Sequence, residues 1–437
     1  MSMKRNETEQ RLWDLYVKYK NDGFSSLAFT LHFFIEKLYK RLVDNCIQDV
    51  FFLSREGQFL KELFEEYQNR NNVTSKVNSH YLIVSRRSTT MPALKKLEEE
   101  DFDIILRQYF NISLYDFLSS IGFEESEIRE IGKDIDFDIY TRLEDFKHQY
   151  IYRKLRKSNL FRKLYEEKRK EQKSNFTKYL DSFGVDYSNG LCIVDVGWKG
   201  TIQDNIFEFL GEEIKVTGFY LGINGHGIID PLNYKKGILF YTDWNKFTPY
   251  FFVFSDSTAI YEVMLGASHG SAHSYEDDNG KAVPVTKEQE KELELYHSII
   301  KPEQEKMMVL FKKIDDICRV SNLDVSEALW ADIHAHLIFK PSKEQITIFN
   351  RMYHYENFGV FEYTTFDGNE ITMGKRLSAL KKLARRPGAF LKSGYWTPVT
   401  LYANGLGCLN KLYGAIVYRK FYEKKPMQLI QEGICEE

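Results

Sequence analysis

Two short, unbroken apolar runs constrain this chain most. Val50-Phe51-Phe52-Leu53 lies within Gln48–Ser54, and Leu191-Cys192-Ile193-Val194 lies within Gly190–Val196. A continuous run of this kind reads as a strand buried on both faces, as in a parallel sheet covered by helices. Each run ends in a polar, glycine-containing turn. Apolar residues at helical spacing then follow: Phe59, Leu60, Leu63, Phe64 and Tyr67 after the first, Ile202, Ile206, Phe209 and Leu210 after the second. Returning strands are expected at Tyr81–Ser85 and Ile214–Ile223. The pattern is two βαβ units with right-handed crossovers. Ahead of the first, Phe24, Leu27, Ala28, Leu31, Phe34, Ile35, Leu38 and Leu42 predict an amphipathic helix.

The expected fold is therefore α/β, a Rossmann-like parallel sheet assembled from 1–90 and 184–280. The stretch between, 91–183, reads as mostly helical and charged. It is longer than an ordinary connection and is taken as a cap or acceptor subdomain. Gly227–Ser274 is aromatic and mixed, Pro284–Cys318 is expected to be helical, and 281–437 as a whole is expected to form a helical C-terminal region. At 437 residues the chain has room for two or three domains, or one large domain with a helical annex. Hydrophobic residues at 43% and aromatics at 15% exclude a disordered or low-complexity chain. A net charge of -3 provides no global field for nucleic acid, so any basic surface is local. The five cysteines are scattered, with no CxxC, which fits a reducing compartment. Met1–Lys20 is charged and shows no secretory signal, and the apolar stretch Leu27–Ile35 is too short to span a bilayer. A cytoplasmic protein is expected.

Three segments carry candidate chemistry. In Val194-Asp195-Val196-Gly197-Trp198-Lys199-Gly200-Thr201 a strand ends in an acid, and a Gly-x-x-Gly-Thr loop opens a helix. Free backbone N–H groups and the positive end of the helix dipole suit a phosphate, and Asp195 suits sugar hydroxyls or a metal-bound water. An ordinary strand-to-helix turn explains the same residues; the ligand-binding bias of such strand ends favours a site. The order GK[ST] of a Walker A loop is absent. Leu53-Ser54-Arg55-Glu56-Gly57 takes the same place in the first unit. Arg55 and the amides near Gly57 suit a diphosphate, Glu56 a metal or a base, and a plain surface turn is the alternative. Val84-Ser85-Arg86-Arg87-Ser88 offers two adjacent guanidinium groups as an anion clamp or a solvated basic turn. Further on, Glu262 and the run His269-Gly270-Ser271-Ala272-His273 suit acceptor binding or base work, although for the two histidines structural or solvent roles outweigh catalysis. Asp134, Asp136 and Asp138 mimic a DxD motif but follow no strand, and read as a polar loop.

On these residues the chain resembles the type I phosphoribosyltransferases. It resembles most the ribofuranosyl-phosphate transferases of bacterial polysaccharide loci, in which FLSRDG-like and VDxGWxGT-Q-like segments recur. The matching segments are Phe52–Gly57 and Val194–Gln203, and the resemblance covers about Gly23 to Tyr275. It departs at Glu56, where that subset tends to have Asp, and at Val196, where salvage enzymes carry a second acid. The resemblance implies a transferase that moves ribofuranose 5-phosphate from phosphoribosyl diphosphate (PRPP) to a sugar hydroxyl of a surface glycan, free or lipid-linked. Mg²⁺ would enter with PRPP. Ser54, Arg55, Gly57, Arg86, Arg87 and Gly197–Thr201 would hold PRPP. Asp195, Glu56 and Glu262 would be catalytic, and His269 and Ser271 would meet the acceptor. A separate haloacid-dehalogenase-type phosphatase would remove the 5-phosphate. A non-catalytic sensor of a phosphorylated ligand and a base-salvage enzyme are the alternatives; the single acid and the long insertion weigh against salvage.

The C-terminal cluster Lys375, Arg376, Lys381, Lys382, Arg385 and Arg386 alternates with Leu377, Leu380 and Leu383 and lacks acids. Trp396, Tyr402, Tyr413 and Tyr418 follow. The stretch 375–420 is expected at an anionic membrane surface, at the inner face; a core-packed helix is the alternative. The basic run Lys154–Lys170 is interleaved with Glu166 and Glu167 and reads as a solvated helix.

Overall fold

In the first strand, successive side chains face opposite ways, and here both directions lead into hydrophobic core. Val50 and Phe52 pack with Leu60, Leu63 and Phe64 on one face. Phe51 and Leu53 pack with Ile193, Ile206 and Phe176 on the other. Cys192 and Val194 against Leu191 and Ile193 repeat this division in the third strand. Unbroken hydrophobicity is the sequence form of a strand covered on both sides.

The computed structural model describes residues 5–435 apart from 74, 107–108, 212, 226–229, 243–245, 322–323, 358–360 and 366–372. Helices α1 (Glu7–Tyr19) and α2 (Leu27–Asp44) lead into β1 (Asp49–Leu53), α3 (Gly57–Arg70), β2 (Asn78–Leu82) and α4 (Arg86–Ala93). The insertion then builds its own hydrophobic cluster around Phe117, Ile128, Ile131 and Leu155. It ends in the long helix α5 (Asn159–Asp181), whose last turns, with Phe176, Tyr179 and Leu180, return to the sheet. Next come β3 (Leu191–Asp195), α6 (Thr201–Leu210), β4 (Val216–Asn224) and β5 (Asn233–Thr242). The five strands pair in parallel in the order β2-β1-β3-β4-β5. The chain is an α/β protein with a parallel, Rossmann-like sheet. Beyond it lie α7 (Ala259–Met264), the hairpin β6 (Ser271–Asp278) and β7 (Lys281–Lys287), α8 (Glu290–Leu295), α9 (Lys301–Val320), α10 (Glu327–Phe339) and α11 (Met373–Arg385). A π-helical turn, Tyr296–Ile300, joins α8 to α9.

Several elements differ from expectation. The second strand begins three residues earlier than expected, at Asn78, and the chain from Ile83 on is already leaving the sheet for α4. Strand β5 falls in the stretch read as mixed. Its first half, Asn233–Lys236, is polar and only half-buried, as suits an edge, and its apolar residues come late. Pro284 lies in β7, so the predicted helix starts only at Glu290. The turn Asn279-Gly280 closes that hairpin with both residues at positive φ, the usual two-residue signal. The hairpin crosses position 280, and α9 and α10 pack Leu310, Phe311, Trp330 and Ile333 into the same core as α2 and one face of the sheet. Asp134, Asp136 and Asp138 sit at a helix end and the turn beyond it, where Asp134 accepts from the Ser158 hydroxyl at 2.5 Å.

Candidate functional site

In this strand order the sheet reverses direction of growth between β1 and β3. The helix after β1 covers one face and the helix after β3 the other, so the two loops diverge and leave a crevice at the carboxyl ends of the strands. A cavity of about 570 Å³ opens there. Ser54, Arg55 and Glu56 of the first loop line it, with Arg86 from the start of α4 and Asp195 through Ile202 of the second loop. Glu262, His269 and Gly270 close another side, and Glu292, Tyr296 and Tyr395 come from the C-terminal region. Each loop contains one cis peptide bond, Ser54–Arg55 and Gly197–Trp198.

The second loop is a backbone construction. It runs beside β4, where the Gly222 N–H donates to the Val196 carbonyl at 3.1 Å and the Asn224 N–H to the Trp198 carbonyl at 2.9 Å. Gly197 has φ +141, and a Cβ there would run into the Gly222 carbonyl. Gly200 caps α6 at φ +72, and a Cβ would meet the Tyr220 hydroxyl at 2.8 Å. Only glycine fits either place. Trp198 lies flat on Phe240 at 5.4 Å between ring centres, and its indole N–H donates to Glu262 Oε1 at 2.6 Å. Asp195 is 8% exposed and accepts from the Val196 N–H at 2.8 Å. Burial first, then the charges of Glu56 and Glu262, push its carboxyl up to about 8.

The first loop is a side-chain construction. The Ser54 hydroxyl donates to the Val84 carbonyl at 2.7 Å and accepts from the Val84 N–H at 2.9 Å, which stitches β1 to the end of β2. Arg55 places one guanidinium nitrogen 3.2 Å from both carboxylate oxygens of Glu292. Burial works to lower its pKa, and Glu292 and Glu56 outweigh that and hold it above the ordinary value. Glu56 accepts from the Arg55 N–H at 3.2 Å. His269 shares a hydrogen with the Tyr81 hydroxyl at 2.7 Å and meets the Gly270 carbonyl at 2.7 Å. Burial pulls its pKa down, against that carbonyl.

Three residues expected at the site are not in the cavity wall. Gly57 packs α3 against β1, and a Cβ would sit 2.8 Å from the Phe52 carbonyl carbon. Ser271 opens β6 and lies outside the lining. Arg87 turns away altogether: it is 7% exposed and binds Glu124 at 3.3 Å and His273 at 3.1 Å. The reason is that Arg86 and Arg87 begin a helix, so consecutive side chains point about 100° apart rather than forming one clamp. Arg87 instead ties the insertion to the β6–β7 hairpin. His273 belongs to that tie, and burial together with Arg87 holds it down at about 4. In the other direction, Glu292, Tyr296 and Tyr395 were not expected. No local pattern announces a partner 237 positions away from Arg55.

The lining thus brings four carboxylates, Asp195, Glu56, Glu262 and Glu292, together with Arg55, Arg86 and Lys199. Among the described residues no group of three acidic, His or Cys side chains is placed to hold a metal ion by itself. Burial first, and then the charges of Glu56 and Glu262, raise Asp195, and the oxygen donors of Asp195 and Glu56 are of the kind magnesium takes. Compared with protein-family models and with curated protein sequences, the chain finds no match.

Proposed function

We propose that this chain is a phosphoribosyltransferase-like enzyme that moves ribofuranose 5-phosphate from PRPP to a sugar hydroxyl of a bacterial surface polysaccharide. The observation that carries the reading is the meeting of the two loops, each following a parallel strand, in one crevice at the switch of strand order. The Gly197–Thr201 loop and the first N–H groups of α6 take the 5-phosphate. Asp195 orients the ribose hydroxyls. Arg55 and Arg86 face the diphosphate, where charge grows as it leaves. Asp195 and Glu56 would be the residues to meet the magnesium ion that enters with PRPP, which would supply positive charge beside the leaving diphosphate.

The acceptor hydroxyl attacks the anomeric carbon, the bond from that carbon to the diphosphate oxygen breaks, and the diphosphate departs with its electron pair. Glu262 and Glu56 are the two carboxylates at hand to take the hydroxyl proton. Trp198, Tyr296 and Tyr395 give the cavity the aromatic faces on which a sugar can stack. His269 lines the same space, with its hydrogen bonds directed to Tyr81 and Gly270.

The test is incubation of the pure protein with PRPP, Mg²⁺ and a panel of glycan acceptors, followed by mass spectrometry of the acceptor and a diphosphate assay. The expected result is acceptor carrying ribose with its 5-phosphate retained, one diphosphate per transfer, the phosphate then being left to a separate phosphatase. PRPP binding with no diphosphate release on any acceptor supports the sensor instead. A ribosylated product without phosphate overturns the division of labour.

A further inference from the structure

We infer that the C-terminal helices form a docking surface for an anionic lipid bilayer, with α11 lying in the plane of the interface. Between positions 373 and 425 the sequence has twelve Lys and Arg residues and a single acid, Glu423, in a chain whose overall charge is -3. That segregation is local and one-signed. On α11, Met373, Leu377, Leu380 and Ala384 recur at i, i+4, i+7 and i+11, which places them in one stripe along the helix. All four are exposed, Met373 at 74% and Leu377 at 54%. Lys381 falls on one flank of that stripe and Arg376 on the other, given 100° per residue. The face that packs on the protein is a different one, through Ala379 and Leu383 against Phe390 and Leu401. The helix therefore spends one apolar face on its own core and shows a second to solvent.

The exposed apolar residues continue past α11. Leu412 and Ile416 are exposed one turn apart on the helix Asn410–Tyr418, and Met427 and Ile430 are exposed on Lys425–Gln431. Soluble surfaces scatter such residues singly; here they gather in the most basic part of the chain. A second copy of the chain would bring like charge against like charge. A polyanion such as nucleic acid would use the basic residues and leave the aliphatic stripe without a role. A bilayer with anionic headgroups uses both, because the acyl boundary takes the stripe and the headgroups take its flanks. No helix among the described residues is long and apolar enough to cross a membrane, so the contact is peripheral. The tryptophan of the segment does not belong to it. Trp396 is 1% exposed and donates its indole N–H to the Ile338 carbonyl at 2.8 Å.

Tyr395, beside that anchored Trp396, lines the cavity, so the docking segment and the pocket share one stretch of chain. Resting on the proposed transferase, this makes a lipid-linked glycan the class of acceptor.

The experiment is co-sedimentation of the full chain with vesicles of phosphatidylglycerol and phosphatidylcholine, and with vesicles of phosphatidylcholine alone. No PRPP is present, so the outcome is independent of the transferase reading. Binding is expected only with phosphatidylglycerol, and it should weaken as salt rises. Replacing Lys381, Lys382, Arg385 and Arg386 by Gln should lower the partition coefficient, Lys381 on the flank of the stripe by about fivefold and Lys382 on the far side of the helix least. Leu377→Ser with Leu380→Ser should lower it as well, at unchanged charge. All six positions are exposed or lie past the helix end, and matching melting curves show that each variant is folded. Absence of binding to anionic vesicles overturns the proposal. So does binding that survives the Leu→Ser pair unchanged, since that is the result expected of a purely electrostatic polyanion site.

Discussion

The two loops that meet in the cavity are built on opposite principles. The loop after β3 is held by its backbone: two glycines at positive φ, two main-chain hydrogen bonds to β4, and no room for a Cβ at either glycine. The loop after β1 is held by side chains: the Ser54 hydroxyl spanning to β2, and Arg55 drawn out by Glu292 from a distant helix. A backbone cradle offers fixed N–H groups to a group that stays bound throughout a reaction. A side-chain arm can exchange one carboxylate partner for a phosphate at the moment charge appears. In the proposed reaction the difference would match the two ends of PRPP, a 5-phosphate that is kept and a diphosphate that leaves.

Substitutions should separate these two principles. Gly200→Val is expected to have the largest effect, weakening PRPP by about 1,000-fold or more, because the new side chain must displace Tyr220 or the loop itself. Calorimetry giving wild-type affinity would break the comparison at its backbone half. Arg55→Ala should leave PRPP affinity within a few-fold and slow turnover by about 100-fold, the usual effect of removing one contact to developing charge. Single-turnover rates measured with saturating PRPP decide it; equal losses in binding and rate would mean that the first loop also acts as a fixed cradle.

Asp195→Asn should split function from stability. Between its ordinary value of 3.8 and its raised value of about 8, the folded chain keeps a proton that the unfolded chain has released. Stability therefore falls as pH rises through that window. Asparagine removes the effect, so the variant should be more stable than wild type at pH 8, by a few kcal/mol. The two should converge below about pH 4, where the aspartate is protonated in both states. Denaturant midpoints at the two pH values test the sign, and a variant less stable at both would refute it. The smallest effect is expected at the adjacent arginines. Arg87→Ala should cost roughly 1–3 kcal/mol of stability through its lost buried hydrogen bonds, with PRPP affinity unchanged. Arg86→Ala should do the reverse. Identical phenotypes would mean that the helix start does not divide them.

Much of this was legible in the sequence, for definite reasons. Strands β1 and β3 are readable because both faces are buried, so no polar residue interrupts Val50–Leu53 or Leu191–Val194. The glycine loop is readable because backbone requirements leave a mark at fixed positions. What was not legible depended on neighbours. Strand β5 carries Lys235 and Lys236 in its first half, at the sheet edge, which disguises it. Arg86 and Arg87 are chemically identical, and only the onset of α4 sends them to different places. Asn279-Gly280 marks its hairpin in the sequence, and the first strand of that hairpin opens at Ser271, outside the cavity lining. Glu292 and Tyr395 reach the cavity through the tertiary fold alone.

The cavity draws its wall from positions 54 to 395, in segments that are strangers to one another along the chain. In kinetic terms, such a site has a high contact order, and the entropy of closing those long loops must be met before any of its contacts form. A partly synthesised chain can pair β1 with β2 and even dock α3, yet it has no cavity until α8 and the segment around Tyr395 have joined the core shared with α2. Binding competence should therefore arise late and all at once during refolding, after most helical signal has returned, and the refolding chain should show no half-formed pocket that grips sugar phosphates loosely.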